Sequence, residues 1–201
     1  MPPALAWKKA TRNYVMISDH GAAGPWRVGG MLGLIPGCMS PQWNRDAAHV
    51  CQCGEELQLA EAGGSGTVVG LSRRSGNPVV SVSHTGGDSF TGFVLVSAVV
   101  TSSTQTSLVS LRAHGSLVLI MAAPWSASRF NLTLSASSDA NGAADTWAPV
   151  LDLGAGNFSG YSSLQMVDNE TLLCLWEAGT STINPGENTA IALSRIRVSG
   201  S

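Results

Sequence analysis

The sequence has few charged side chains and no block of charge of either sign. Among its 201 residues, lysine and arginine total 11 and aspartate and glutamate total 13, so that 12% of the residues are charged and the net charge is -2. A protein that binds nucleic acid needs a basic face, and an acidic disordered tail needs a run of like charge. Neither is present, so nucleic acid is not an expected partner.

Long apolar runs are also absent. The longest, around residues 117–124, is far shorter than the roughly 18 residues that a membrane helix needs, and we expect no membrane span. The first residues, MPPALAWKKATRNYV, lack the ordered regions of a secretory signal, so either the protein is cytosolic or its true beginning is missing. The sequons at Asn131, Asn157 and Asn169 favour a secretory, lysosomal or extracellular protein instead, and the localisation stays open.

Cysteine is scarce, and the spacing of the four cysteines is not that of a metal site. Cys51 and Cys53 are separated by one residue instead of two, and no second pair or suitably spaced histidines follow. We therefore expect no metal centre. Cys38, Cys51, Cys53 and Cys174 are predicted to be free thiols, or two of them to form one disulfide.

The sequence is rich in small residues. It contains 23 glycines and a background of serine and threonine, in which apolar runs stay short. This composition predicts short strands joined by tight turns and therefore an all-β fold. Alternation of apolar and polar residues predicts a strand over 131–135, and short strand-like runs predict further strands over 13–17, 56–61, 67–71, 78–83, 107–111, 116–121, 162–167, 171–176 and 191–198.

One turn motif is well defined in residues 137–147. Ser137 and Asp139 can accept hydrogen bonds from nearby backbone N–H groups, as can Thr146. Gly142 permits an unusual φ, and Trp147 is predicted to anchor the hairpin in a core.

Two weaker versions of this turn occupy residues 18–26 and 83–90. In the second of them, Thr85 stands where the first motif has aspartate, and Phe90 stands where it has tryptophan. The three turns begin 65 and 54 residues apart, which fits the four-stranded blades of a β-propeller.

Several segments, in order along the chain, resemble motifs of the exo-α-sialidase (neuraminidase) family. Residues 137–147 are similar to its structural Asp-box (BNR) repeat, S-x-D-x-G-x-T-W, with an insertion around 140–144. Other segments are similar to its G-N-E-x-Q-V, C-Q-G-S, S-R-x-N-L-T, A-Y-S-S and L-Y-E-x-G motifs; they lie at 54–59, 104–107, 128–133, 160–163 and 175–179, respectively.

The resemblance covers nearly the whole chain from about residue 13 and corresponds to the C-terminal half to two thirds of such a propeller. It implies one sialidase-like β-propeller domain over residues 1–201. The family propeller is six-bladed, and here the resemblance implies about four blades, with the N-terminal blades missing.

The resemblance also implies a reaction, which is the retaining hydrolysis of terminal α-linked sialic acids on glycoproteins, glycolipids or oligosaccharides. The anomeric carbon of a sialic acid bears a carboxylate that repels an anionic nucleophile, and sialidases use a tyrosine instead. Tyr161 matches that nucleophile, and Glu56 matches the base that a phenol, with its ordinary pKa of about 10, requires. This chemistry needs no cofactor.

Arginine is the residue that suits the sialic acid carboxylate, because its planar guanidinium can bind both oxygens and stays charged. Arg73 and Arg129 match two members of the family's arginine triad. Arg74 is the alternative to Arg73, because neighbours on a strand point to opposite faces. Glu177 matches a position that braces an arginine, which implies a supporting role.

Two family features have no counterpart in the sequence. They are the first arginine of the triad, in an F/Y-R-I-P segment, and the aspartate that protonates the leaving oxygen. Loss of a general acid costs about 10² to 10⁴ in rate, so impaired activity is expected. Linkage preference and hydrolase or transferase outcome stay open.

Two other functions are consistent with the sequence. One is a non-catalytic propeller that binds sialic acid, and the other is a purely structural Asp-box propeller. In the latter, Arg73 and Arg129 would be solvated, Tyr161 would pack in a blade core, and Glu56 would be a surface carboxylate.

Overall fold

The computed structural model describes residues 13–18, 25–32, 56–63, 66–74, 76–102, 104–113, 115–179 and 190–198. These residues form thirteen β-strands and no helix, which confirms the all-β prediction. The strands are β1 (Asn13–Ile17), β2 (Arg27–Leu32), β3 (Leu57–Glu61), β4 (Val68–Ser72), β5 (Val79–Ser83), β6 (Val94–Leu95), β7 (Ser107–Ala113), β8 (Ser116–Pro124), β9 (Leu132–Ser137), β10 (Trp147–Asp152), β11 (Phe158–Met166), β12 (Thr171–Gly179) and β13 (Ala190–Arg197). This part of the chain accordingly has no helix that is long and apolar enough to cross a membrane.

The strands form four antiparallel sheets that follow one another along the chain. β1 pairs with β2, and the orders in the other sheets are β3-β4-β5-β6, β7-β8-β9-β10 and β11-β12-β13. Each strand pairs with the next one in sequence, as in the blades of a propeller. The first strands of the three larger sheets lie side by side, because β7 contacts both β3 and β11. The residues described therefore form successive blades of an incomplete β-propeller.

In the sheet of β7 to β10, the strand β8 is buried on both faces. Successive residues of β8 alternate between two cores, with Leu119 and Met121 packed against β4, and Ile120 and Ala122 packed against β11 and β12. Full burial of one large aliphatic side chain contributes about 1.5–3 kcal/mol, so this strand stabilises both blade interfaces. A strand that is buried on both faces has a continuous apolar sequence, which explains why the run around 117–124 does not alternate.

The predicted strands all overlap observed ones, and three observed strands were not predicted. β6 has two residues, β2 contains two glycines, and β10 carries Pro149 and is exposed except at Trp147. β10 lies at the edge of its sheet, where proline is tolerated and no apolar face is required. These three strands consequently lack the apolar runs and the alternation on which the prediction depends.

The turn between β9 and β10 is held by the side chains that the sequence indicates. The N–H of Asp139 donates to Ser137 Oγ at 3.1 Å, and the N–H of Ala143 donates to Asp139 Oδ2 at 3.0 Å. The indole N–H of Trp147 donates to the carbonyl of Gly142 at 3.2 Å, and Gly142 has a φ of 66°. Trp147 is 3% exposed and belongs to the core shared with β4 and β8. Asp139 therefore has a structural role here.

Thr85 takes the place of this aspartate in the turn after β5. The N–H of Thr85 donates to Ser83 Oγ at 3.2 Å, and the N–H of Ser89 donates to Thr85 Oγ1 at 3.0 Å. These bonds repeat the spacing of those in the other turn, with a hydroxyl oxygen in place of a carboxylate oxygen. Phe90, at the position of the tryptophan, packs against Val79 and Phe93.

Some predictions fall on residues that are not described. Residues 19–24 of the first turn lie outside the described residues, as do Cys38, Cys51 and Cys53. Cys174, in β12, is a buried free thiol, and burial raises its pKa from the usual 9.0 to about 12. A thiol with such a pKa is unreactive at neutral pH.

Candidate functional site

Glu56 and Arg73 lie together because β3 and β4 form a hairpin. Glu56 immediately precedes β3 and Arg73 immediately follows β4, and the N–H of Arg73 donates to the Glu56 carbonyl at 2.9 Å. Their side chains form an ion pair in which Nη1 of Arg73 lies 2.9 Å from Oε2 of Glu56. The exposed fractions of the two side chains, 16% for Arg73 and 36% for Glu56, show that the pair is partly shielded from water.

Tyr161 reaches this ion pair from β11, which belongs to the last of the three larger sheets. Its hydroxyl donates to Glu56 Oε1 at 3.2 Å and accepts a hydrogen bond from Nη1 of Arg73 at 3.4 Å. The residue is the fourth of β11, which begins at Phe158, whereas the strand predicted from the sequence begins only at residue 162. β11 lies next to β7, and a 2.8 Å hydrogen bond between Ser107 Oγ and Ser162 Oγ joins the two strands. β7 in turn contacts β3, and this arrangement brings Tyr161 within reach of Glu56.

Arg129 covers the ring of Tyr161. The carbon of its guanidinium, Cζ, lies 5.6 Å from the centroid of the Tyr161 ring, which is a cation–π contact. The residue lies in the loop between β8 and β9, outside the strand that the sequence predicts over 131–135. Its carbonyl accepts a hydrogen bond from the N–H of Ser159 at 2.8 Å, which attaches the loop to the strand that carries Tyr161.

Asn131 holds the other end of the Arg129 loop. It has a φ of 59°, in the left-handed region, and its carboxamide oxygen accepts a hydrogen bond from the N–H of Gly156 at 2.7 Å. Beside it, the rings of Phe130 and Phe158 meet edge to face with centroids 6.5 Å apart. The loops before β9 and before β11 are therefore joined by backbone, side-chain and aromatic contacts.

Glu177, in β12, contacts the backbone of Tyr161. Its Oε2 accepts a hydrogen bond from the N–H of Tyr161 at 3.1 Å. Gly160 leaves room for this carboxylate, because a Cβ built on that glycine would lie 1.9 Å from Glu177 Oε2. The contact differs from the arginine brace that the resemblance implies for Glu177.

The four side chains of Glu56, Arg73, Arg129 and Tyr161 thus meet at one place, which we call the tyrosine cluster. A phenol that donates to a carboxylate can give up its proton to it as the phenol oxygen attacks an electrophile. The Arg73 guanidinium contacts the phenol oxygen and the second carboxylate oxygen of Glu56, Oε2, and can balance negative charge on either group. In the described part of the chain, no three histidine, cysteine, aspartate or glutamate side chains are grouped to hold a metal ion.

The sequence matches no protein-family model and no curated protein, but the fold matches solved structures of sialidases. A mutant of the NanB sialidase from Streptococcus pneumoniae has a TM-score of 0.64 and 18% identity, over 92% of this chain and 27% of that chain. Trypanosoma rangeli sialidase in complex with sialic acid has a TM-score of 0.59 and 19% identity, over 93% of this chain and 27% of that one. The intramolecular trans-sialidase from Ruminococcus gnavus, in complex with oseltamivir carboxylate, has a TM-score of 0.57 and 17% identity, over 93% of this chain and 40% of that chain.

This chain spans between 27% and 40% of the length of those three structures. At such low identity the similarity shows the fold alone. The described residues therefore have the fold of part of a sialidase β-propeller, in agreement with the fold class predicted from the sequence.

Proposed function

We propose that this chain carries the nucleophile, base and part of the carboxylate-binding set of a retaining exo-α-sialidase, within one propeller domain. The observation that supports the proposal most is the 3.2 Å hydrogen bond from Tyr161 Oη to Glu56 Oε1, with Arg73 in contact with both residues. The substrates are terminal α-linked sialic acids of glycoproteins, glycolipids or oligosaccharides.

The first step is attack of the Tyr161 phenol oxygen on the anomeric carbon of the sialic acid. The phenol proton passes to Glu56, a bond forms between the phenol oxygen and the anomeric carbon, and the glycosidic bond breaks. Water then attacks the same carbon, gives one proton to the solvent, and releases Tyr161, which recovers its proton from Glu56. Two displacements give net retention.

The substrate carboxylate is assigned to Arg129 and Arg73. Arg129 lies over the Tyr161 ring, so its guanidinium is close to the phenol that attacks. Arg73 already forms an ion pair with Glu56. Its guanidinium must therefore bind the carboxylate of the substrate and the carboxylate of Glu56 at the same time. Arginine has five N–H donors, which permits such sharing.

This set of residues contains no group assigned to protonate the leaving oxygen. The aspartate that protonates it in the family has no counterpart in this sequence, and without a general acid a sugar alcohol has to take its proton from water. An aryl leaving group is a much weaker base and departs without a general acid. We therefore expect aryl sialosides to be hydrolysed at least about 100-fold faster than sialyllactose, since general acid catalysis supplies about 10² to 10⁴ in rate.

The test is release of a fluorescent phenol from an aryl α-sialoside, with sialyllactose as the second substrate. Tyr161→Phe should abolish the release, and Glu56→Gln should lower it by about 10² to 10⁴. The sequence has two tyrosines, so Tyr14→Phe on β1 is the matched control and should retain the activity. Activity that persists in Tyr161→Phe would overturn the assignment of the nucleophile.

The missing aspartate favours a second candidate, which is a propeller that binds sialic acid without cleaving it. In that case an α-methyl sialoside binds, Arg129→Ala removes binding, and no substrate is hydrolysed. A purely structural propeller would show neither binding nor hydrolysis. Calorimetry with the α-methyl sialoside, beside the hydrolysis assay, separates these three functions.

A further inference from the structure

The strand that carries Tyr161 has an irregularity at that residue. In the pairing of β11 with β12, Ser159 lies opposite Ala178 and Ser162 lies opposite Trp176. Gly160 and Tyr161 therefore stand opposite the single residue Glu177, which is a β-bulge. A bulge changes the direction of the side chains that follow it and leaves an N–H without its ladder partner.

The Glu177 side chain replaces that partner. Its Oε2 accepts the hydrogen bond from the N–H of Tyr161 at 3.1 Å, and a hydrogen bond to a carboxylate is stronger than one to a neutral acceptor. Glu177 is itself well fixed, because β12 is the central strand of its sheet and the residue pairs with Ile191 of β13. A rigid strand thus holds the bulged backbone at the residue whose phenol meets Glu56.

Gly160 makes this contact sterically possible. A Cβ there would lie 1.9 Å from Oε2 and 3.0 Å from both Cβ and Cδ of Glu177, so the carboxylate occupies the space that any other residue's Cβ would fill. The sialidase motif that residues 160–163 resemble has alanine at this position. The pairing of a glycine with an intruding carboxylate is therefore a departure of this chain from that motif.

We infer that Glu177 and Gly160 act together to position Tyr161, by locking the β-bulge that directs its phenol towards Glu56 and Arg73. This inference rests on the proposed function in so far as it concerns catalysis, but its structural content can be measured without activity. Glu177 is then a positioning residue, which acts on the nucleophile through the backbone of Tyr161.

The experiment observes the Tyr161 ring directly. With tyrosine labelled by ¹³C at Cζ, the chain gives two ring signals, and Tyr14→Phe identifies the one from Tyr161. Glu177→Ala and Gly160→Ala should both shift this signal and speed hydrogen exchange at the Tyr161 N–H. Glu177→Gln, whose amide oxygen can still accept the hydrogen bond, should retain the wild-type signal and slow exchange.

Urea unfolding of each variant separates repositioning from general loss of structure. If Glu177→Ala does not fold, Glu177→Asp takes its place, since the shorter carboxylate cannot keep the same contact. A folded Glu177→Ala or Glu177→Asp chain with an unchanged Tyr161 signal and unchanged exchange would overturn the inference. A Glu177→Gln chain that behaves like Glu177→Ala would also overturn the inference, because the hydrogen bond to the Tyr161 N–H would then not be what positions the ring.

Measurement of kcat and KM tests whether the positioning of Tyr161 affects catalysis. On the aryl sialoside, Glu177→Ala and Gly160→Ala should lower kcat by about 10- to 100-fold with little change in KM, because a small misplacement of the nucleophile is costly while the arginines are untouched. Gln165→Ala, further along β11 and exposed, is the control and should keep wild-type kcat. Absence of hydrolysis in the wild-type chain would contradict the proposed function alone and leave the ring and exchange measurements decisive for Glu177.

Discussion

The carboxamide oxygen of Asn131 accepts a hydrogen bond from the N–H of Gly156 at 2.7 Å, across 25 residues of sequence. Asn131 ends the loop that carries Arg129, and Gly156 precedes the strand that carries Tyr161. This single bond therefore helps to set the distance between the guanidinium and the phenol ring. It also explains why an asparagine stands there, because asparagine tolerates the left-handed φ of 59° better than most residues.

Replacement of Asn131 should therefore affect both stability and the tyrosine cluster. Asn131→Ala loses the hydrogen bond and keeps an unfavourable φ, so the free energy of unfolding should fall by about 1.5–3 kcal/mol. Asn131→Gly relieves the φ and loses only the bond, so it should fall by about 0.5–1.5 kcal/mol. Urea unfolding followed by tryptophan fluorescence measures both values. Equal losses in the two variants would show that the left-handed conformation costs nothing here.

Much of the fold could be predicted from the sequence, because short apolar runs and alternation of apolar and polar residues mark the strands that are buried on two faces or on one. β1, β5 and β12 are found where the pattern indicates them, and the turn of Ser137 and Asp139 has the expected bonds. Strands that form for reasons other than burial of an apolar face were not predicted. β10, an exposed edge strand, and the two-residue β6 exist because of their neighbours, and no local pattern reports that.

The candidate site, like the fold, could be predicted only in part. The residue types of the tyrosine cluster could be proposed from motifs, but their contacts depend on three blades packing side by side. Tyr161 and Glu56 are 105 residues apart, and nothing in the intervening pattern gives a distance of 3.2 Å between their oxygen atoms. The roles of Asn131 and Gly160 were not predicted, because a left-handed φ and the space for a carboxylate are properties of the packed loops and strands.

Arg129 provides a prediction about binding. Arg129→Lys keeps the positive charge but loses the planar fork that can bind both carboxylate oxygens. We expect the Kd for an α-methyl sialoside to rise by about tenfold, which corresponds to about 1.4 kcal/mol, close to the lower end of the range for one hydrogen bond to a charged group. Calorimetry measures this change. Arg112→Lys on β7, at an exposed position, is the control and should leave the Kd unchanged; a parallel rise there would point to a general charge effect.

Thr85 provides a prediction about the propeller turns. Thr85→Val keeps the shape of the side chain but removes the acceptor for the N–H of Ser89, so the free energy of unfolding should fall by about 0.5–1 kcal/mol. Thr85→Asp restores an acceptor of the kind found at Asp139 and should be close to wild type. Asp139→Ala, which removes a charged acceptor, should cost more, about 1.5–3 kcal/mol. A Thr85→Asp chain as unstable as Thr85→Val would contradict the equivalence of the two turns.

Cys174 gives the fold a specific dependence on pH. Burial raises the pKa of its thiol from 9.0 to about 12, so above pH 9 the thiol ionises in the unfolded chain before it ionises in the folded one. Its contribution to stability is therefore complete below pH 9.0 and is lost as the pH rises through about 12. The difference in unfolding free energy between the wild-type chain and Cys174→Ala, measured by urea titration at several pH values, should shrink over this range.

The same burial should protect the thiol from reagents, which can be measured with Cys38, Cys51 and Cys53 replaced by serine. At pH 8 a thiol of pKa about 12 has a thiolate fraction about a thousandfold lower than one of pKa 9.0, so a disulfide reagent should label native Cys174 far more slowly than the urea-unfolded chain. Labelling at equal rates in the two states would mean that β12 opens readily. The strand that holds Glu177 against Tyr161 would then be too mobile to position a nucleophile, so this measurement also bears on the site.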